Sequence, residues 1–167
     1  DGAAKKAAAR VSVTGSDGRL LILADGRIHH VNLMEKLLVT VLAKLGNFVP
    51  GGGIWMNTQR PEWNDANNAL AGYGLSMVTL CYLRRLLVLM GRLIEGETAR
   101  NFPLSEEVGL FMISVRSALE EHRKMLASSV GDAERKLVVD ALGKAGDAYR
   151  KQVYSGFSGI RVDIENI

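Results

Sequence analysis

Leu33, Leu37, Leu38, Val41, Leu42 and Leu45 recur at the three- and four-residue steps of a single helix face. Asn32 stands where an N-cap belongs, Glu35 follows in the position of a capping box, and Gly46 suits the residue after the last turn. A first helix over Asn32–Gly46 follows. A second is expected from Asn64 or Asp65 to about Glu95. Between Leu75 and Leu93 its apolar residues fall on almost every face, and a helix that is apolar all round is a buried one. Cys81 is expected there as a small buried hydrophobe, while Arg84 and Arg85 must reach water or a carboxylate. A third helix follows Pro103, with Ser105 as N-cap and Glu106 and Glu107 at the positive end of the dipole. Val108, Phe111, Met112, Val115, Leu119 and Leu126 form its stripe, and Arg116, Glu120, Glu121, Arg123 and Lys124 face water. A fourth helix, from Asp132 to about Tyr154, turns Leu137, Val138, Ala141, Leu142, Ala145, Ala148, Tyr149 and Val153 inward. Gly156 and Gly159 end it, and residues 160–167 read as a final strand or an extended tail.

Ahead of the helices, Val11–Thr14 and Leu20–Leu23 flank the Gly/Asp-rich stretch 15–19, and Asp25-Gly26 is a second turn before Arg27–Val31. These predict a β element of two or three short strands. Residues 1–10 read as a flexible basic tail. The expected fold class is mainly α: a short N-terminal β hairpin, then four helices with one long and buried, in a single domain over 11–167. Three partner helices cannot cover the long one on all sides. Either the domain forms a homo-oligomer or the chain is a segment of a larger helical array.

Length and composition narrow the picture. The chain has 167 residues, 47% of them hydrophobic and 23% charged, enough for one cored domain. A formal charge of +3 is too small to argue for nucleic acid, and all of the excess lies before residue 65. No run reaches the roughly 18 apolar residues that a membrane helix needs. The best candidate, 75–91, is interrupted by Arg84 and Arg85. One cysteine excludes an internal disulfide and a Cys-based zinc site, and three histidines make a poor metal set, so no metal or cofactor is expected. His29 and His30 read as solvated or structurally hydrogen-bonded. The N-terminus lacks the apolar core of a signal peptide, which favours the cytoplasm without settling localisation.

The segment between the first two helices, Asn47–Asn64, exceeds the length at which irregular loops become uncommon, about 12–15 residues. It holds both tryptophans, Trp55 and Trp63, and a run of amides and ions through Asn57, Gln59, Arg60, Glu62, Asn64, Asp65, Asn67 and Asn68. Flat aromatics beside amides and carboxylates suit carbohydrate: rings stack on its C–H faces while polar side chains meet its hydroxyls. The same residues also read as helix-entry signals, with Asn64 or Asp65 as N-cap and Trp63 as a hydrophobic staple.

Glu62-Trp63-Asn64-Asp65-Ala66-Asn67-Asn68 resembles the Asp-Trp-Asn-Asp-Gly-x-Asn stretch of the cellobiose and chitobiose phosphorylase family, and more broadly the catalytic loop of (α/α)6-toroid glycoside hydrolases. Glu62 replaces the usual Asp and Ala66 the usual Gly. The resemblance implies that Asp65 is the general acid protonating the glycosidic oxygen, and that this chain is a portion of an (α/α) toroid. It also implies hydrolysis or phosphorolysis of a glycosidic bond.

Such chemistry needs a second carboxylate to activate water or attack carbon. Glu62 is the near one, three residues away, which is close for an inverting pair separated by about 6.5–9.5 Å. A phosphorylase avoids that requirement because phosphate attacks, held by Arg60 or by the Gly51-Gly52-Gly53 amides, although the glycine run lacks a P-loop lysine and reads first as simple loop flexibility. Burial against Trp55 or Trp63 would raise the Asp65 pKa as an acid requires, whereas a helix N-terminus would lower it. In the second case Asp65 serves better as a base or a hydroxyl-binding group. Two rivals stand beside this reading: a non-catalytic helical interaction domain, and a nucleic-acid or anionic-surface binder using the basic N-terminal tail with Lys5 and Lys6.

Overall fold

The computed structural model describes residues 2–57, 73–96, 101–126 and 129–165. The chain is mainly helical. Its described helices are α1 (Gly2–Thr14), α2 (Leu33–Leu45), α3 (Met77–Glu95), α4 (Glu106–Glu121), the single turn α5 (Arg123–Leu126) and α6 (Asp132–Ser155). Its described strands are β1 (Phe48–Val49), β2 (Gly53–Asn57), β3 (Tyr73–Ser76), β4 (Asn101–Ser105) and β5 (Arg161–Glu165). They form two small antiparallel sheets, β1-β2-β3 and β4-β5.

Residues 2–14 depart from expectation. In place of a flexible tail and a strand over Val11–Thr14, they form one largely exposed helix, α1, running into a 3-10 turn at Gly15–Arg19. The tail is rich in alanine, the strongest helix former, and Ser12 and Thr14 pass their hydroxyls back to Ala9 and Arg10 carbonyls at 2.7 and 2.9 Å. Local propensity outweighs the β-branched side chains. The Asp25-Gly26 turn does form a small hairpin, closed by an Ile22–Ile28 bridge with Gly26 at φ +83°.

α2 starts and stops where its pattern said, with the Asn32 side chain accepting the Glu35 amide at 2.8 Å. Its neighbours Val41 and Leu42 point into two different cores. Leu42 joins Val108, Phe111, Val115, Val138 and Leu142 between α2, α4 and α6. Val41 joins Ile54, Leu83 and Met90 between α2, β2 and α3. In α6, Leu137 and Ala148 are exposed instead of inward, because α6 meets α4 along a line through Val138, Leu142, Ala145 and Tyr149 that leaves them on the outer side. The third helix is broken at His122, leaving Leu126 on α5. The C-terminal residues become β5, paired with β4 from Asn101–Glu165 to Ser105–Arg161. Gly109 allows α4 to press on that sheet: a Cβ there would lie 2.8 Å from Val162 Cγ2.

The largest difference concerns the long helix. Its described part begins at Met77, capped by Ser76, and the four residues before it are strand β3. It is also not buried all round. Only Leu83 and Met90 are buried, while Met77, Val78, Tyr82, Val88, Leu89 and Leu93 are each about half exposed. Cys81 is exposed as well, and Arg84 and Arg85 face outward, with the Arg85 guanidinium 5.6 Å from the Tyr82 ring centroid. Periodicity reports which residues are apolar. It cannot report how many neighbours the fold supplies.

Candidate functional site

Part of the Asn47–Asn64 segment is regular structure. β1 and β2 form a tight hairpin through Pro50–Gly52, in which the Gly52 amide donates to the Val49 carbonyl at 3.0 Å. Gly53 pairs with Val49 at φ +130°, so close to β3 that an added Cβ would sit 2.9 Å from the Ser76 oxygen. The glycine run therefore builds a turn and a close strand approach. Its Gly52 amide is spent on the hairpin instead of an oxyanion.

Along β2 the side chains alternate. Ile54 is fully buried, whereas Trp55 is 42% exposed beside its register partner Leu75. Asn57 ends β2 directly opposite Tyr73 at the start of β3. The intervening segment thus leaves and returns at adjacent positions on one sheet end. Gln59, Arg60, Glu62, Trp63, Asn64, Asp65, Asn67 and Asn68 lie outside the described residues. Among the sequence-predicted site residues, only Trp55 and the backbone of Asn57 belong to the described part.

A second polar centre had not been anticipated. Glu35, 2% exposed at the start of α2, reaches across to β4 and β5. Its Oε1 accepts the Ser105 hydroxyl at 2.5 Å, and its Oε2 accepts the Ser105 amide at 3.1 Å and Arg161 Nη1 at 2.6 Å. The other guanidinium arm of Arg161 donates to the His30 carbonyl. His29 Nε2 lies 2.9 Å from Ser105 Oγ. A hydroxyl has one proton, and that of Ser105 goes to Glu35, so His29 Nε2 is the donor in this pair. In the neutral ring Nδ1 is then an acceptor.

The order of these groups decides what they can do. A nucleophilic serine gives its proton to a histidine that a carboxylate orients. Here the serine gives its proton to the carboxylate, receives one from the histidine, and is fully buried. The centre is a clamp joining α2, β4, β5 and the hairpin. Asn32 reinforces it, donating from Nδ2 to the Pro103 carbonyl at 2.7 Å. The expectation that His29 is structurally hydrogen-bonded holds.

Beside the clamp lies a cavity of about 350 Å³ between the hairpin, α2, α4 and α6. Leu21, Val39, Val108 and Phe157 supply apolar walls, and His29, Glu35 and Tyr149 the polar ones. The His29 and Phe157 rings are 5.0 Å apart, and Tyr149 stacks on Phe111 at 4.6 Å. The Tyr149 phenol is held above its ordinary pKa, first by burial and then by the negative charges of Glu35 and Glu107. Glu107 is itself buried. Its Oε1 accepts the Ser158 amide at 2.6 Å, and its Oε2 has no partner among the described residues.

Its place three residues after Asn32 assigns Glu35 to a capping box. The signal against that assignment was its spacing: it lies three, seven and ten residues before Leu38, Leu42 and Leu45, on the stripe that faces the core. A carboxylate on a core stripe needs a buried partner. Arg161, more than a hundred residues on, carried no such mark. Among the described residues no group of three or more His, Cys, Asp or Glu is placed to hold a metal ion, and no helix is long and apolar enough to cross a membrane. In comparisons with known proteins, the chain matches no protein-family model and no curated protein.

Proposed function

We propose that this chain is a carbohydrate-active module that cleaves a glycosidic bond by hydrolysis or phosphorolysis, as a portion of an (α/α) toroid. Asp65 is the general acid and Glu62 the second carboxylate. Trp55 and Trp63 are sugar platforms, and Asn57, Gln59, Arg60, Asn64, Asn67 and Asn68 contact hydroxyls or phosphate. The Glu62–Asn68 sequence carries this reading. Two features of the fold support it. Trp55 offers a half-exposed indole on β2, and the Asn57–Tyr73 register brings the two ends of the motif-bearing segment together.

Replacing Asp65 by Asn in the full protein tests the proposal. A natural glycoside, whose leaving oxygen needs a proton, is expected to lose turnover by a factor of about 10²–10⁴. An aryl glycoside with a good leaving group loses far less. Equal losses on both substrates remove Asp65 from the acid role. Absence of turnover by the unmodified protein on every glycoside sinks the enzymatic reading.

One observation favours a second reading, a non-catalytic helical interaction domain. Val78, Tyr82, Leu89 and Leu93 lie along one outward line of α3, and such an apolar face marks a contact surface. The two readings are compatible if the same face packs against further helices of a ring.

A further inference from the structure

We propose that the cavity beside the Glu35 clamp binds a small neutral molecule with an apolar, ring-sized body and one hydroxyl group. This inference rests on none of residues 58–72 and stands independently of the carbohydrate reading.

Three observations carry it. Its volume, about 350 Å³, lies within the range of small-molecule pockets, roughly 300–1,000 Å³, and suits one ring with a short substituent. Its walls are divided as such pockets are. Leu21, Val39, Val108 and Phe157 are apolar, while His29, Glu35, Lys36 and Tyr149 are the polar residues of the same lining. The polar side is also fixed before any ligand arrives. Ser105 orients the His29 ring, and Ser105 is locked in turn by Glu35, whose oxygens already take three donors. A binding group held in advance loses little freedom on association.

The chemistry of the wall selects the ligand class. With Nε2 turned to Ser105, the second ring nitrogen of His29 is an acceptor whenever the ring is neutral, and the Tyr149 phenol, held above its ordinary pKa, can donate. A hydroxyl group both donates and accepts, so it complements the pair. Anions are disfavoured, because Glu35 and Glu107 together impose a negative potential at the Tyr149 phenol. Arg161 does not reverse this at the cavity, since its guanidinium is engaged by Glu35 and the His30 carbonyl. Lys36 is the one cationic side chain on the lining, and it is exposed.

The test is an amide-resonance titration of the full chain with p-cresol and, in parallel, with the p-toluate anion. Saturable shifts centred on Leu21, Val39 and Phe157 are expected with p-cresol, and none with p-toluate at tenfold higher concentration. Tyr149→Phe removes one hydrogen bond and is expected to weaken p-cresol about fivefold, the equivalent of about 1 kcal/mol. Val39→Trp fills the cavity and is expected to abolish the shifts. Absence of saturable shifts with p-cresol overturns the proposal, and so does p-cresol binding that survives in Val39→Trp. Equal binding of p-toluate overturns the ligand class. If Val39→Trp fails to fold, the Tyr149→Phe variant and the p-cresol to p-toluate contrast decide. Loss of glycoside turnover in Asp65→Asn leaves every one of these outcomes unchanged.

Discussion

Glu35 makes demands on its surroundings that a surface carboxylate would not make. It is almost wholly removed from water, and its oxygens are satisfied by the Ser105 hydroxyl, the Ser105 amide and one arm of Arg161. Bonds to an ionised group contribute roughly 1.5–3 kcal/mol each in favourable cases, and removing one partner leaves the others buried and unpaired. Glu35→Gln preserves size but turns two hydrogens towards donors. It is expected to lower stability by about 2 kcal/mol, read as a shift in the urea midpoint at constant slope. An unchanged midpoint would mean that burying the carboxylate costs as much as its bonds contribute.

At the scale of elements, the clearest pressure point is the contact between the β1–β2 turn and β3. Gly53 combines positive φ with an approach to the Ser76 backbone that leaves no room for a Cβ. Ser76 is also the N-cap of α3, its Oγ accepting the Thr79 amide at 3.1 Å, so the strand register and the helix start share one residue. Gly53→Ala is expected to destabilise the chain by about 1–3 kcal/mol through strain at that position. Hydrogen exchange should report the loss first at the β2–β3 amides and at the first turn of α3. Faster exchange confined to α4 and α6 instead would contradict the link. α4 and α6 rest on a different core, reached through Leu42 and not Val41.

At the scale of the molecule, α2 is the hinge of the architecture, dividing its two adjacent apolar residues between two cores. α3 closes the smaller core with one face and leaves the other open. An uncovered apolar surface associates with whatever apolar surface is available. The isolated chain is therefore expected to self-associate at tens of micromolar. Replacing Val78, Leu89 and Leu93 by Lys should bring its sedimenting mass down towards that of one chain. Since these side chains are about half exposed, the thermal midpoint should move little, each site staying within about 0.5 kcal/mol. A large drop in the midpoint would mean that this face is packed within the chain.

The amino-acid order alone determined the helices whose stripe and caps agree. Asn32 with Leu33–Leu45, the acidic turn at Glu106 and Glu107, and the Val138, Leu142 and Ala145 line were all legible, because helix signals act within a few residues; Ser105 holds the N-cap position, but its hydroxyl goes to Glu35 and caps nothing. The Asp25-Gly26 turn was legible for the same reason. Pairing across distance was not. β4 with β5, Glu35 with Arg161, and the strand that precedes α3 all depend on which segments meet, and no local pattern encodes which distant segment a residue will face. Burial of α3 was misjudged on the same ground: apolar residues announce that a helix can be covered, and only the arrangement of its neighbours decides on which sides it is.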